Sequence, residues 1–236
     1  MHARAELTAA APVTAGRSCR LVRRLDGAPL AWRSTPDAVY LVGTAATPVG
    51  DDSVDIDVAV EAGATLRIRS TAATVAWSAT GTTQRVTASV ADGGMLDWQL
   101  QPLVATAECH HLQAVNVRLE GSGRLRWTEQ VLLGRSHEAP GHLDLRLDVD
   151  LDDEALVRHQ LCVGPDVAGW AGPAVLGGQR AFGFALHAGR HEPRVEPAAG
   201  EGWAVLNLDG PAAMTVAVAA DLSGLRRALD EAGGTA

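Results

Sequence analysis

Hydrophobic and polar residues alternate along much of this chain with a period of two. Val54, Ile56, Val58 and Val60 are interleaved with Asp55, Asp57 and Ala59. Arg67-Ile68-Arg69, the run 113–119 and the run 143–151 repeat the habit. In the last of these, LDLRLDVDL, every second residue is Leu or Val and the others are Asp or Arg. Successive side chains of a strand point to opposite faces, so these runs predict strands with one buried and one wet face. That is the pattern of antiparallel sheet solvated on one side.

A longer repeat lies over the short one. V-E-A-G-A-T-L at 60–66 returns as V-A-D-G-G-M-L at 90–96 and as L-E-G-S-G-R-L at 119–125, thirty and then twenty-nine positions on. A similar tripeptide ends each copy: Leu66-Arg67-Ile68, Leu96-Asp97-Trp98, Leu125-Arg126-Trp127. V-D-L-D-D-E-A-L at 149–156 reads as a fourth, longer copy. Strand, glycine turn, strand is the physical content, with Gly supplying positive φ. Hairpins at a ~30-residue period predict stacked layers, each covering its neighbour's apolar face. Trp98 and Trp127 hold equivalent places in the repeat and are assigned to core packing.

The C-terminal part reads differently. Residues 165–183 are rich in Gly, Pro and Ala and predict loop with at most one short helix. Residues 203–208 and 213–219 read as two strands. Asp221 caps a helix over 221–231 whose Leu222, Leu225 and Leu229 share a face, and GGTA reads as a frayed tail. Nothing marks a linker. The expectation is one all-β domain over 1–236, with a variable N-terminal segment at 1–27. Its architecture is expected to be stacked antiparallel sheets in a β-helix-like coil of hairpins, with one or two short helices towards the C-terminus.

Composition narrows the function. The chain has 236 residues, net charge -8 and pI about 5.4, which disfavours nucleic acid or an anionic membrane as partner. All twenty basic residues are Arg. Without Lys there is no P-loop lysine and no Schiff-base amine, so Walker-type hydrolysis and pyridoxal chemistry are excluded. Cys19, Cys109 and Cys162 predict free thiols in a reducing compartment. The first residues lack the apolar core of a signal peptide, and the longest apolar run, 212–220, is too short to span a bilayer. A cytoplasmic location is the expectation.

Motifs for catalysis are missing. There is no G-x-S-x-G, no G-x-G-x-x-G after a strand and no H-E-x-x-H, since Pro140 interrupts GRSHEAPGH. On a strand, Cys109 and His111 of the Glu108-Cys109-His110-His111 run share a face, which suits a borderline metal. A structural site needs four ligands, however, and the preferred reading is a buried Cys beside surface histidines. Of the acids at 51–61, Asp55 and Asp57 alternate with core residues and read as the wet face of a strand. Asp51 and Asp52 follow Gly50 in a turn, where backbone amides can hold a carboxylate and aim it.

The order of several short phrases resembles the urease accessory protein D family, called H in some species. The phrases are Ala28-Pro29-Leu30, Pro48-Val49-Gly50-Asp51, the run Asp55 to Ala64 and Ser70-Thr71-Ala72-Ala73-Thr74. They continue with Leu96-Asp97-Trp98, Gln101-Pro102, and Leu133-Gly134-Arg135 with Glu138. The resemblance covers roughly 28–142 in matching order and the rest more loosely. It departs from the family at Val75, where a Lys is usual, and in the missing glycine pair before residue 48. It implies a mostly β fold coiled in stacked sheets with two helices, and a non-enzymatic scaffold for urease maturation. The partners so implied are accessory protein F, the GTPase accessory protein G and apo-urease, and the cargo is nickel, handled transiently with no tightly bound cofactor. Carried over by position, Asp51 and Glu138 are the expected nickel-path residues, with Cys109 and His111 behind them. Two other readings stand beside this one: a cupin-like β metalloenzyme using Cys109 and His111, and a purely structural solenoid.

Overall fold

Two sheets face one another across a shared hydrophobic interior. The computed structural model describes residues 1–13, 18–77 and 80–233; the tail after Gly233 and part of the N-terminal segment lie outside the described residues. The first sheet runs Glu154–Val163, His142–Leu151, His110–Leu119, Thr82–Val90, Ser53–Val60, His2–Ala10, Arg20–Leu25. The second runs Ala198–Gly200, Trp203–Asn207, Ala212–Ala219, Ala181–Ala188, Arg124–Leu133, Met95–Gln99, Thr65–Ser70, Val39–Gly43, Leu30–Ser34. Two short strands, Thr74–Ala76 and Leu103–Ala105, join it beside the end of Arg124–Leu133.

The mostly β coil is as expected, but its units are not hairpins. Ser53–Val60 lies in the first sheet and Thr65–Ser70 in the second, so the glycine turn at 61–64 carries the chain from one sheet to the other. Each strand then pairs with its counterpart one repeat later, and the pairing is parallel: Ile56 opposite Val86, Val86 opposite Val115, Val115 opposite Leu147. In the second sheet Ile68 lies opposite Trp98, and Trp98 opposite Trp127. Both kinds of ladder share a side-chain period of two, so alternation alone cannot separate them. Antiparallel pairs are confined to the ends: His2–Ala10 with Arg20–Leu25, Leu30–Ser34 with Val39–Gly43, and the C-terminal meander. The fourth copy of the repeat is a true hairpin, with Asp152 and Asp153 at φ 51° and 64°. Two consecutive positive φ values make it a primed turn, which matches the strand twist.

The turns themselves explain the displaced glycine. Ala64 N donates to Glu61 O, Gly94 N to Ala91 O and Gly123 N to Glu120 O. Gly63 and Gly93 take the third place of these four-residue turns at φ 69° and 68°, while Gly121 takes the second at φ 56°. The first two are type II, and the third has reversed to the mirror form.

In-register stacking gathers like residues into inward rows: Val60, Val90 and Leu119, then Val58, Ala88 and Val117, then Ile56, Val86 and Val115. Trp98 and Trp127 stack with ring centroids 4.7 Å apart and planes 4° from parallel. Both are fully buried, and truncating either to Ala costs about 3–5 kcal/mol. The segment before Ala28, expected to be variable, supplies two strands. Its small residues Ala3, Ala5 and Ala9, with Leu7, fill the inward face.

Among the described residues there is one helix, Leu222–Gly233. Asp221 caps it as expected, with its Oδ1 accepting from Gly224 N at 2.7 Å. Leu225, Ala228 and Ala232 are buried against Trp203, Val205 and Ala217. Between residues 165 and 180 no helix forms. Gly169, Gly177 and Gly178 have φ between 58° and 78°, and left-handed residues at such spacing break a helix into turns.

Candidate functional site

Opposite the glycine corners, the chain returns from the second sheet to the first through longer segments: 44–52, 71–81, 100–109 and 134–141. All four residues singled out from the sequence lie at this edge. Their surroundings differ.

Asp51 has an exposed side chain (87%), whereas Asp52 is buried. It is Asp52, not Asp51, that the turn holds: its Oδ2 accepts from Val49 N at 3.0 Å and from Thr47 Oγ1 at 3.1 Å. The amino group of Met1 approaches both carboxylates, at 3.4 Å and 3.1 Å. Glu138 closes its own loop. Its Oε2 accepts from the backbone N and Nε of Arg135 at 2.8 Å and 3.0 Å, and its Oε1 from Nη2 at 2.7 Å. Bonding to Arg135 pulls its pKa down to about 2. Arg135 in turn lies 4.6 Å over the ring of Trp77. Arg180 pins the same loop by donating to the carbonyls of Leu133, Arg135 and Glu138.

Cys109 and His111 are both buried and Glu108 and His110 are exposed, but the strand begins only at His110. Glu108 lies in a turn at φ 60°, closed by Cys109 N donating to Thr106 O at 3.3 Å, so the strand expected over 108–111 starts two residues later. The Cys109 thiol donates to His142 O at 3.7 Å, and burial with the nearby Glu138 charge pushes its pKa up to about 11. His111 places Nδ1 2.8 Å from Thr82 Oγ1, and its Nε2 has no partner among the described residues. Burial holds this ring neutral, its pKa down to about 4. His110 and His142, opposite one another in register, stack at 5.4 Å. Among the described residues no three His, Cys, Asp or Glu side chains gather as a ligand set. A cupin-type centre needs such a cluster.

The structure also reveals groups that sequence reasoning missed. Along the inward parity of Arg124–Leu133 run Leu125, Trp127, Glu129, Val131 and Leu133, so an acid interrupts an apolar row. Gln113 donates to Glu129 Oε2 at 2.8 Å, and Trp127 Nε1 lies 3.4 Å from the same oxygen. Burial raises the Glu129 pKa to about 7, and these two donors oppose the rise. Cavities of about 10 Å³ flank it, one lined partly by Thr74, Gln84 and Gln113, the other by Gln113, Arg146 and His159. The interior therefore changes character across its width. It is apolar behind the glycine corners and takes in Gln84, Gln113 and Glu129 midway. Towards the long loops it sets Thr82, His111 and Asp52 beside a second apolar cluster that includes Leu103, Val131, Leu133 and Leu143. The signal was available: in L-R-W-T-E-Q-V-L-L the Glu sits on the parity of the Trp. A carboxyl titrating near neutrality can release a proton as a cation arrives and take it back as the ion leaves, whereas the His111 ring, already neutral, can offer a ring nitrogen without proton exchange.

Comparison with known sequences bears on this arrangement. The profile of the family described as UreD urease accessory protein matches residues 2–233. A UreD 2 protein of Saccharopolyspora erythraea is 39% identical over 206 residues, 82% of this chain and 72% of that protein. A UreD protein of Streptomyces avermitilis is 38% identical over 231 residues, covering 92% and 91% of the two chains. One from Parafrankia sp. is 36% identical over 255 residues, covering 97% and 82%.

Proposed function

Because this chain belongs to the UreD urease accessory protein family, we propose that it is a non-enzymatic factor that helps deliver nickel to apo-urease together with accessory proteins F and G. The observation that carries the nickel role is the polar side of the interior, where Glu129, Gln113, His111 and Asp52 lie behind the long loops. Coordination there would be weak by design, since no ligand set converges and each group keeps a protein partner. Asp51 and Glu138 stand at the mouth of this region, Asp51 open to solvent and Glu138 held by Arg135. No described helix is long and apolar enough to cross a membrane, which accords with a role in the cytoplasm.

The test is urease activation in cells that lack their own copy of this factor. Glu129→Gln and His111→Phe should each lower the nickel content of purified urease while the variant still co-purifies with accessory protein F. Full nickel loading by the double variant would remove the interior from the route, and failure to recover accessory protein F with the wild-type chain would remove the scaffold role.

A further inference from the structure

The outer face of the second sheet carries charge of the opposite sign to the rest of the chain. Arg67, Asp97, Arg126 and His187 stand side by side on four adjacent strands in register. Arg69 grips Asp97 with Nη1 at 3.0 Å and Nη2 at 2.8 Å, and Arg67 reaches it only at 3.9 Å. Arg126 has no carboxylate within 4.0 Å among the described residues. One acid thus serves two guanidiniums and Arg126 is left without one, in a chain with 28 acids to 20 bases.

Beside this row the helix Leu222–Gly233 overhangs the sheet and leaves a groove of about 480 Å³. Small residues make its depth, Ala185 within it and Gly183 under the helix, where a Cβ would meet Glu129 O at 2.6 Å and Leu225 at 3.3 Å. Gln99, Gln101, Gln130 and Thr128 line it, with Arg69 on one wall and Arg226 on the other. Among the described residues Arg226 has two hydrogen-bond contacts, both neutral: Gln130 Oε1 at 3.4 Å and Gln101 Oε1 at 3.3 Å. These are long for charge-assisted hydrogen bonds, which favour about 2.7–2.9 Å. Asp230, four residues on, lines the rim without closing on it within 4.0 Å.

We propose that this groove docks an extended acidic peptide segment of a partner protein, with its backbone on the glutamine amides. One carboxylate sits on Arg226 in the groove and another on Arg126 just outside it, two residues before the lining Thr128. Guanidinium forks recognise carboxylates, and Gln side chains offer both a donor and an acceptor to a peptide backbone. The lining holds no aromatic anchor, so affinity rests on charge and hydrogen bonds. The negative remainder of the surface repels such a segment from other sites. The inference goes beyond nickel delivery and stands whether or not the interior carries the ion.

The experiment is fluorescence anisotropy of the whole chain with a labelled Glu-Ala alternating peptide, at low and high salt. Binding at low salt that weakens about tenfold or more in the folded Arg126→Glu/Arg226→Glu variant, but persists in Arg118→Glu on the opposite sheet, supports the groove. Equal loss in both variants, no binding, equal binding of a Lys-Ala peptide, or full competition by citrate at matched carboxylate concentration each overturns it. Arg126→Gln/Arg226→Gln serves as the neutral pair should charge reversal disturb folding.

Discussion

The coil reverses direction at two edges, and they do it by different means. At the glycine edge four residues suffice. The backbone satisfies itself there, with Glu61 N donating to Ala9 O, Ala91 N to Val60 O and Glu120 N to Val90 O, so each turn rests on the one before. Asp92 adds a side-chain tie, accepting from Ser122 N and its hydroxyl at 2.8 Å and 2.6 Å. Behind this edge the interior is apolar, with Trp98 and Trp127 stacked in it. At the long-loop edge the backbone groups outrun their own partners, and side chains must serve them: Asp52 for Val49, Thr106 Oγ1 for Ala76 O, Arg180 for three carbonyls. Polar side chains recruited for that purpose bring buried polar groups with them, and the candidate chemistry collects there. Tight reversal excludes chemistry, and slow reversal provides room for it.

The comparison can be broken most forcefully with glycines. At Gly141 a Cβ would meet Thr106 O at 2.4 Å and Cys109 N and O at 2.6 Å, all backbone. Gly141→Ala should therefore cost about 3 kcal/mol or more, and denaturant unfolding of the purified variant measures it. Gly63, at the other edge, has only Ala11 Cβ at 4.0 Å around it, and Gly63→Ala should cost about 1 kcal/mol, the penalty of its positive φ alone. If the two losses were equal, the backbone contacts around Gly141 would not be what sets its cost.

Glu129 and Glu138 sharpen the same contrast through pH. Glu129 has a folded pKa raised to about 7 from 4.5. Its neutral form adds stability that is complete below about pH 4.5 and is lost as pH rises through 7, because the folded state then holds a proton the unfolded state has shed. Glu129→Gln should thus be more stable than wild type by about 1–3 kcal/mol at pH 8 and near parity at pH 4. Glu138 runs the other way. Its folded pKa falls to about 2, so its contribution is present above about pH 4.5 and disappears as pH drops towards 2. Glu138→Gln should therefore lower stability throughout the range above about pH 4.5, flatten the fall on the acid side, and meet wild type as pH approaches 2. Denaturant titrations across pH read both. The smallest effect belongs to Arg135→Lys, which keeps the charge but loses the fork on Glu138 and the planar contact with Trp77, a small loss of stability at an exposed site. Trp77 fluorescence reports it locally.

The strand faces, the glycine turns and the capped helix were legible in the chain because each depends on residues within a few positions of one another. The parity of Val54 to Val60 fixes what is buried whichever neighbour arrives. The family resemblance, too, lay in short local phrases. The candidate site was less legible. The turn pattern covers Asp51 and Asp52 alike and the resemblance points to Asp51, whereas the turn holds Asp52. Glu129 lies outside the Leu125-Arg126-Trp127 phrase in which its strand is read.

What the sequence by itself determined is the alternation, the ~30-residue interval and the total absence of lysine. Only the tertiary structure decided that each turn joins two sheets, that like positions stack in parallel, and that Asp52, His111 and Glu129 share one side of the interior. The reason is that a strand's period is written along one dimension, whereas its partner is chosen by closing loops of some thirty residues, and that choice is settled by which faces can be buried together.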